Sequence, residues 1–147
     1  MQPFSYLSVV VAPNDDKQHD VQVYTDISGQ WTSGDPAAPL KWNTATANKI
    51  VTHSLELAEQ DPYQTHIEMI KQGAAYYSAF NSSGLTWRSG EDAVVRQDWI
   101  AKGKLPNEKD NQFRSYSDRW PVFAFSLNLG ALKAASKPTV FSVGHVR

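Results

Sequence analysis

Cysteine is absent from the 147 residues. That excludes disulfides, thiolate nucleophiles and Cys-ligated zinc. It leaves the compartment open, because a chain of this length buries about two-thirds of its unfolded surface and can hold together on its core alone. Excess charge is lacking too. Fourteen Lys and Arg against fifteen Asp and Glu give a formal charge of −1. With no basic run, a nucleic-acid-binding surface has no electrostatic support. No apolar stretch approaches the ~20 residues that cross a bilayer, so no membrane partner is expected. The N-terminal "MQPFSYLSVVVAP" has neither a basic n-region nor a long h-region and does not read as a signal peptide. A secreted parent would carry its signal outside this sequence.

The common catalytic signatures are missing as well. There is no Gly-x-Ser-x-Gly elbow, no Ser-x-x-Lys pair, no His-Glu-x-x-His helix and no Gly-rich phosphate loop. His19, His53, His66 and His145 are scattered, with no two at metal-ligand spacing. His53 and His145 fall on apolar strand faces and read as core histidines. Asp15-Asp16 sits in a polar turn without EF-hand spacing, and Glu91-Asp92 opens a helix, where carboxylates complement the dipole. The expectation is therefore no catalytic residue, no metal and no cofactor.

What the sequence has in quantity is aromatic rings: five Trp, six Tyr and six Phe. They suit the interlayer space of a β-sandwich, although sugar-binding surfaces use the same residues. Period-2 alternation dominates. "FSYLSVVVA" is apolar on both faces and predicts a central strand, joined through "PNDDKQHD" to "VQVYTDI" (21–27) as a hairpin. "KIVTHSLELAE" (49–59) puts Val51, His53, Leu55 and Leu57 on one face. "YQTHIEMI" (63–70), "GAAYYSAF" (73–80), "LTWRS" (85–89), "VFAFSLNL" and "TVFSVGHVR" read as further strands. One helix interrupts them. Ser89 with Asp92 resembles a capping box, Val95 and Trp99 share a face one turn apart, and Gly103 and Pro106 end it. The predicted fold class is mainly all-β, an antiparallel β-sandwich with one short helix, spanning 1–147 as a single domain. The last strand runs to Arg147 without a polar tail, as expected of a piece of something larger or of a strand that pairs with something.

Three stretches offer candidate sites. "SGQWTSGDPAAPLKW" (28–42) reads as a long loop, and a sugar could stack on Trp31 or Trp42 while Asp35 accepts its hydroxyls. The alternative is that the rings pin the loop to the sandwich. Asn81-Ser82-Ser83 matches an N-glycosylation sequon in a turn. In "FRSYSDRWPVFAFSLNLG" (113–130), Arg114, Asp118 and Arg119 are spaced to form an ion-pair cluster fixing a bend. Trp120 packs at the sandwich end, and Pro121 suits a strand start. With no nucleophile nearby, this cluster reads as structural or as an interdomain contact.

Five segments carry a family likeness: "PFSYLSVVV", "VQVYTDISGQW", "DAVVRQDWI", "FRSYSDRWPVFAFSLNLG" and "FSVGHVR". In this order, over nearly the whole chain, they resemble the N-terminal β-rich domain of the fungal glutaminase A family. The resemblance implies a secreted protein that hydrolyses glutamine to glutamate and ammonia. It also implies a much longer chain, whose catalytic residues lie in an α-helical toroid like those of six-hairpin glycosidases. No such helical region is present here, so the resemblance carries over the fold but no catalytic residue. "KQGAAYYSAF" departs from the family pattern, which has an aromatic near Gly73. The leading expectation is a non-catalytic domain supporting a catalytic α-helical partner or self-associating. The alternatives are a carbohydrate- or protein-binding module and, least supported, a self-contained amidohydrolase using His53 or Asp118.

Overall fold

The computed structural model describes residues 4–62, 64–66 and 69–146, without the side chains of 65, 66, 69 and 70. Among the described residues ten strands appear in chain order: β1 Phe4–Val9, β2 His19–Ser28, β3 Leu40–Ala47, β4 Ile50–Leu57, β5 Thr65–His66, β6 Met69–Ile70, β7 Ala74–Phe80, β8 Leu85–Glu91, β9 Pro121–Leu132 and β10 Thr139–Val146. A 3₁₀ turn (Gly29–Thr32) follows β2, and one α-helix, α1 (Asp92–Lys102), follows β8. The strands form an antiparallel five-stranded sheet, β1-β10-β7-β4-β3, and an antiparallel three-stranded sheet, β2-β9-β8. Among the described residues β5 and β6 pair only with each other. This is the predicted antiparallel β-sandwich with one helix.

β9 explains the layering. Phe123, Phe125 and Leu127 alternate with Val122, Ala124 and Ser126, and every residue from 121 to 127 is buried. The large side chains face the five-stranded sheet, where they meet Leu55, Trp42, Val51, Tyr77 and Phe141. The small ones leave room for α1 to approach from the other side. There Val95 and Leu105 pack on Val122 and Ala124, with Tyr24 and Trp99 beside them. Fully burying each such phenylalanine contributes roughly 1.5–3 kcal/mol. β4 follows its predicted face, with Val51, His53, Leu55 and Leu57 all buried.

Several expectations are corrected. β1 and β2 are not a hairpin: β1 pairs with β10 and β2 with β9, so the chain crosses between sheets over residues 10–18. Nor is β1 central. It is an edge strand and largely exposed, because its apolar character on both faces reflects an uncovered surface rather than two buried ones. The loop at 28–42 ends at Leu40, which places Trp42 inside β3. β3 joins β4 through Asn48 and Lys49, both at positive φ (49° and 62°), the geometry of a type I′ hairpin turn. The run at 63–70 is not one strand; its described part is the β5–β6 pair, and Tyr63, Ile67 and Glu68 lie outside the described residues. Ser89 does not cap α1. It is buried in β8 and accepts a hydrogen bond from the Asp110 N–H at 3.0 Å, while Glu91 precedes the helix. Gly103 does end it, at φ 66°, donating its N–H to Trp99 O. Gly73 has φ 94°, and a Cβ there would run into the Val146 carbonyl oxygen, so this position accepts no larger side chain.

Candidate functional site

The turn before β9 is organised by Arg114, a buried cation. Its Nη1 donates to Asp110 Oδ2 at 2.6 Å and to Gln112 O at 2.7 Å; Nε donates to Asp118 O at 2.9 Å and Nη2 to Arg119 O at 3.3 Å. The guanidinium also lies 5.5 Å from the centre of the Trp42 ring, a cation–π distance. Trp42 donates its indole N–H to Asp110 O at 2.7 Å and meets Phe113 and Phe123 edge-on. Arg114 is thus neutralised by Asp110, ties down the carbonyls of the bend, and stacks on the core. Arg119 adopts φ 47°, a strained conformation for a side-chain-bearing residue, held by these bonds.

Asp118 meets Arg114 through its backbone carbonyl, not its carboxylate. The carboxylate is exposed and bonds Arg119 Nε at 3.1 Å, which lowers its pKa from the ordinary value. Trp120 is partly exposed and packs edge-on against Tyr116. The spacing of Arg114, Asp118 and Arg119 was legible. Asp110 was not, because it sits beyond the quoted segment, although its i,i+4 spacing to Arg114 was the available signal.

Trp31, Asp35 and Trp42 do not converge. Trp31 is 56% exposed on the 3₁₀ turn, beside an open groove of about 480 Å³ formed with Ser28, Gln30, Ser33, Gly34 and Tyr116. Asp35 accepts a hydrogen bond from the Ala37 N–H at 2.9 Å, a local turn, and faces a second groove with Gln60 and Lys71. Trp42 is 4% exposed and lines the rim of a third groove with Phe113 and Tyr76. Asn81 is exposed after β7, where its backbone N–H donates to Lys49 O at 2.8 Å.

His53 is buried with both ring nitrogens engaged. A carbonyl can only accept, so Nε2 carries the proton toward Ala124 O at 3.2 Å, and Nδ1 accepts from the Thr44 hydroxyl at 2.8 Å. Burial lowers its pKa to about 4. The ring is a neutral cross-link between the sheets. Tyr77 performs a similar task through Thr25 at 2.7 Å, its phenol pushed up to about 12 by burial. His145 lies half-buried on β10, His19 pairs with Asp15 at the surface, and the His66 side chain is outside the described residues. Among the described residues, no group of three His, Asp or Glu side chains is placed to hold a metal ion.

Outside the sandwich, Asp26 accepts from Tyr24 Oη at 2.8 Å and from Arg96 Nε at 2.9 Å, pinning α1 to β2. Arg96 also reaches Asp92, and Arg88 of β8 pairs with Asp98. Burial, followed by Asp26, raises the Tyr24 phenol, and Asp26 raises the Arg96 guanidinium. Sequence reasoning missed this network, since Asp26 and Arg96 are seventy residues apart.

Residues 2–147 match the family described as domain of unknown function (DUF5127). The chain belongs to that family. It is 40% identical over 142 residues to glutaminase A of Aspergillus oryzae, a match covering 96% of this chain and 20% of that protein. A probable glutaminase of Arthroderma benhamiae is 23% identical over 159 residues, covering 99% of this chain and 18% of the relative. The chain therefore spans about a fifth of these relatives and corresponds to an N-terminal domain of the fungal glutaminase A family. That is the resemblance expected from the sequence.

Proposed function

We propose that this DUF5127 domain is a non-catalytic accessory module of a secreted glutaminase-family hydrolase, in which it supports or contacts an α-helical catalytic domain. The observation that carries the reading is the match itself: nearly all of this chain aligns with only 20% of a protein named glutaminase A. The internal chemistry agrees with it. The buried polar groups His53, Tyr77 and Arg114 are each bonded within the domain, an arrangement that rigidifies a scaffold. Secretion would suit Asn81 as an N-glycosylated residue, since the sequon lies in an exposed turn.

Deleting the matched segment from the A. oryzae protein tests this reading. The remaining polypeptide should keep hydrolysing L-glutamine while unfolding at lower temperature. A remainder that stays folded yet loses all turnover would place catalytic groups in the β-domain and overturn it.

A second reading rests on Trp31, whose exposed ring borders a polar-lined groove suited to stacking a sugar or a partner's side chain. Tryptophan fluorescence titrated with oligosaccharides would reveal it, and Trp31→Ala should abolish the shift. A sugar-dependent shift that survives that substitution would sink it.

A further inference from the structure

The strand register defines the outer face of the five-stranded sheet. Tyr6, Ser142, Ser78 and Thr52 form one row, with Phe4, Gly144, Tyr76 and Ser54 beside it. Tyr6 is 73% exposed and Phe80, at the β7 end, 57%; Ile50 and Val140 are exposed between them, and together they border a shallow apolar groove of about 200 Å³. On this face the five strands carry charge only at Lys41 and Glu56, which pair with each other at 3.4 Å at one corner. Away from that corner, where Lys109 also reaches Asn43 at 3.1 Å, the surface can be dried without stranding a charge.

The free edge beside it gives an independent observation. Of the four edges of the two large sheets, β2 contains Asp20, Asp26 and a bulge at Val21/Gln22, β3 contains Lys41, and β8 contains Arg88 and Glu91. Charges and bulges of this kind keep edges from pairing with other chains. β1, "FSYLSV", has neither charge nor proline nor bulge. The undefended edge and the charge-free end of the face meet along the same strand.

We propose that this face and the β1 edge dock against the remainder of a longer glutaminase-family polypeptide. The inference rests on the accessory reading and specifies its contact surface. The occupant follows from length: about four-fifths of the A. oryzae protein lies outside the match. In that protein the two parts are tethered, and a tether supplies an effective concentration on the order of millimolar, favouring the intramolecular contact over a second copy. The complementary surface is poor in charge and offers backbone groups to β1.

The test replaces the matched segment of A. oryzae glutaminase A with this chain and compares hydroxyl-radical labelling of the chimera with that of the free 147-residue protein. Labelling of Tyr6, Tyr76 and Phe80 should fall by about fivefold or more on entering an interface core, while Trp31 and Ile100 keep their rates. Protection confined to Trp31 or Ile100 would overturn this face and leave the accessory reading standing. Protection nowhere would overturn both. Sedimentation of the free chain gives a check independent of the chimera: it should remain monomeric. A dimer in which Tyr6 and Phe80 are protected would assign the face to a second copy and overturn the proposal.

Discussion

The outer face of the three-stranded sheet carries α1, whereas the outer face of the five-stranded sheet is open among the described residues. Under the helix lie Val122 and Ala124, fully buried, and the helix is tied on by the Arg96–Asp26 and Arg88–Asp98 pairs. Across the molecule the corresponding surface is Ser78, Ser142, Thr52 and exposed Tyr6 and Phe80. The difference lies in what each surface can do without a partner. Val122 and Ala124 are covered within the chain, while the serines and threonines tolerate water and the aromatic rings beside them do not need it.

Charge placed on the two surfaces should separate them most sharply. Ala124→Glu forces a carboxylate into the filled space beneath α1, between Asp26 and Arg88, whose charges are already paired with Arg96 and Asp98, and should cost about 5 kcal/mol in urea unfolding, enough to unfold a domain of ordinary stability. Arg114→Ala should rank next. It strands the Asp110 carboxylate and frees three carbonyls of the bend, and should lose about 4 kcal/mol. Arg114→Lys should recover little, because an ammonium cannot reproduce the planar fork.

The sandwich interior between the surfaces has a pH signature. His53 is held neutral in the fold with its pKa near 4, against 6.5 when free, so the unfolded chain takes up the proton first as pH falls. Stability should be undiminished above pH 6.5 and decline by about 3 kcal/mol between 6.5 and 4, then level off for this group. His53→Leu should flatten that part of a chemical-denaturation series against pH.

The helix attachment is weaker. Arg96 is about half exposed, so Arg96→Gln should cost about 1 kcal/mol, read as a small drop in urea midpoint. Smallest of all, Ser78→Glu on the open face should change the stability of the free chain by less than about 0.5 kcal/mol. A loss there approaching that of Ala124→Glu would mean the two faces do not differ as described.

Legibility followed the physics of each segment. β4, β7, β9 and β10 announced themselves because one face of each is buried, and burial imposes alternation. β3 did not: "NTATAN" is small and polar and its outer residues face water, so no apolar alternation marks it. The β1–β2 pairing misled because hairpins are a local expectation, while the sandwich routes the chain across its two sheets. Trp42 was legible as notable but not as the platform for Arg114, since that contact joins β3 to the turn before β9, far along the chain. Ser89 resembled a cap by spacing, yet β8 continues through it to Glu91.

The proposal at the centre is that this chain scaffolds and does not catalyse. Ammonia release from L-glutamine by the purified 147-residue protein, scored against a heat-denatured control, tests it most directly. The account predicts no rate above the control at any protein concentration. A rate that scales with protein and disappears with His53→Leu or Asp118→Asn would contradict it.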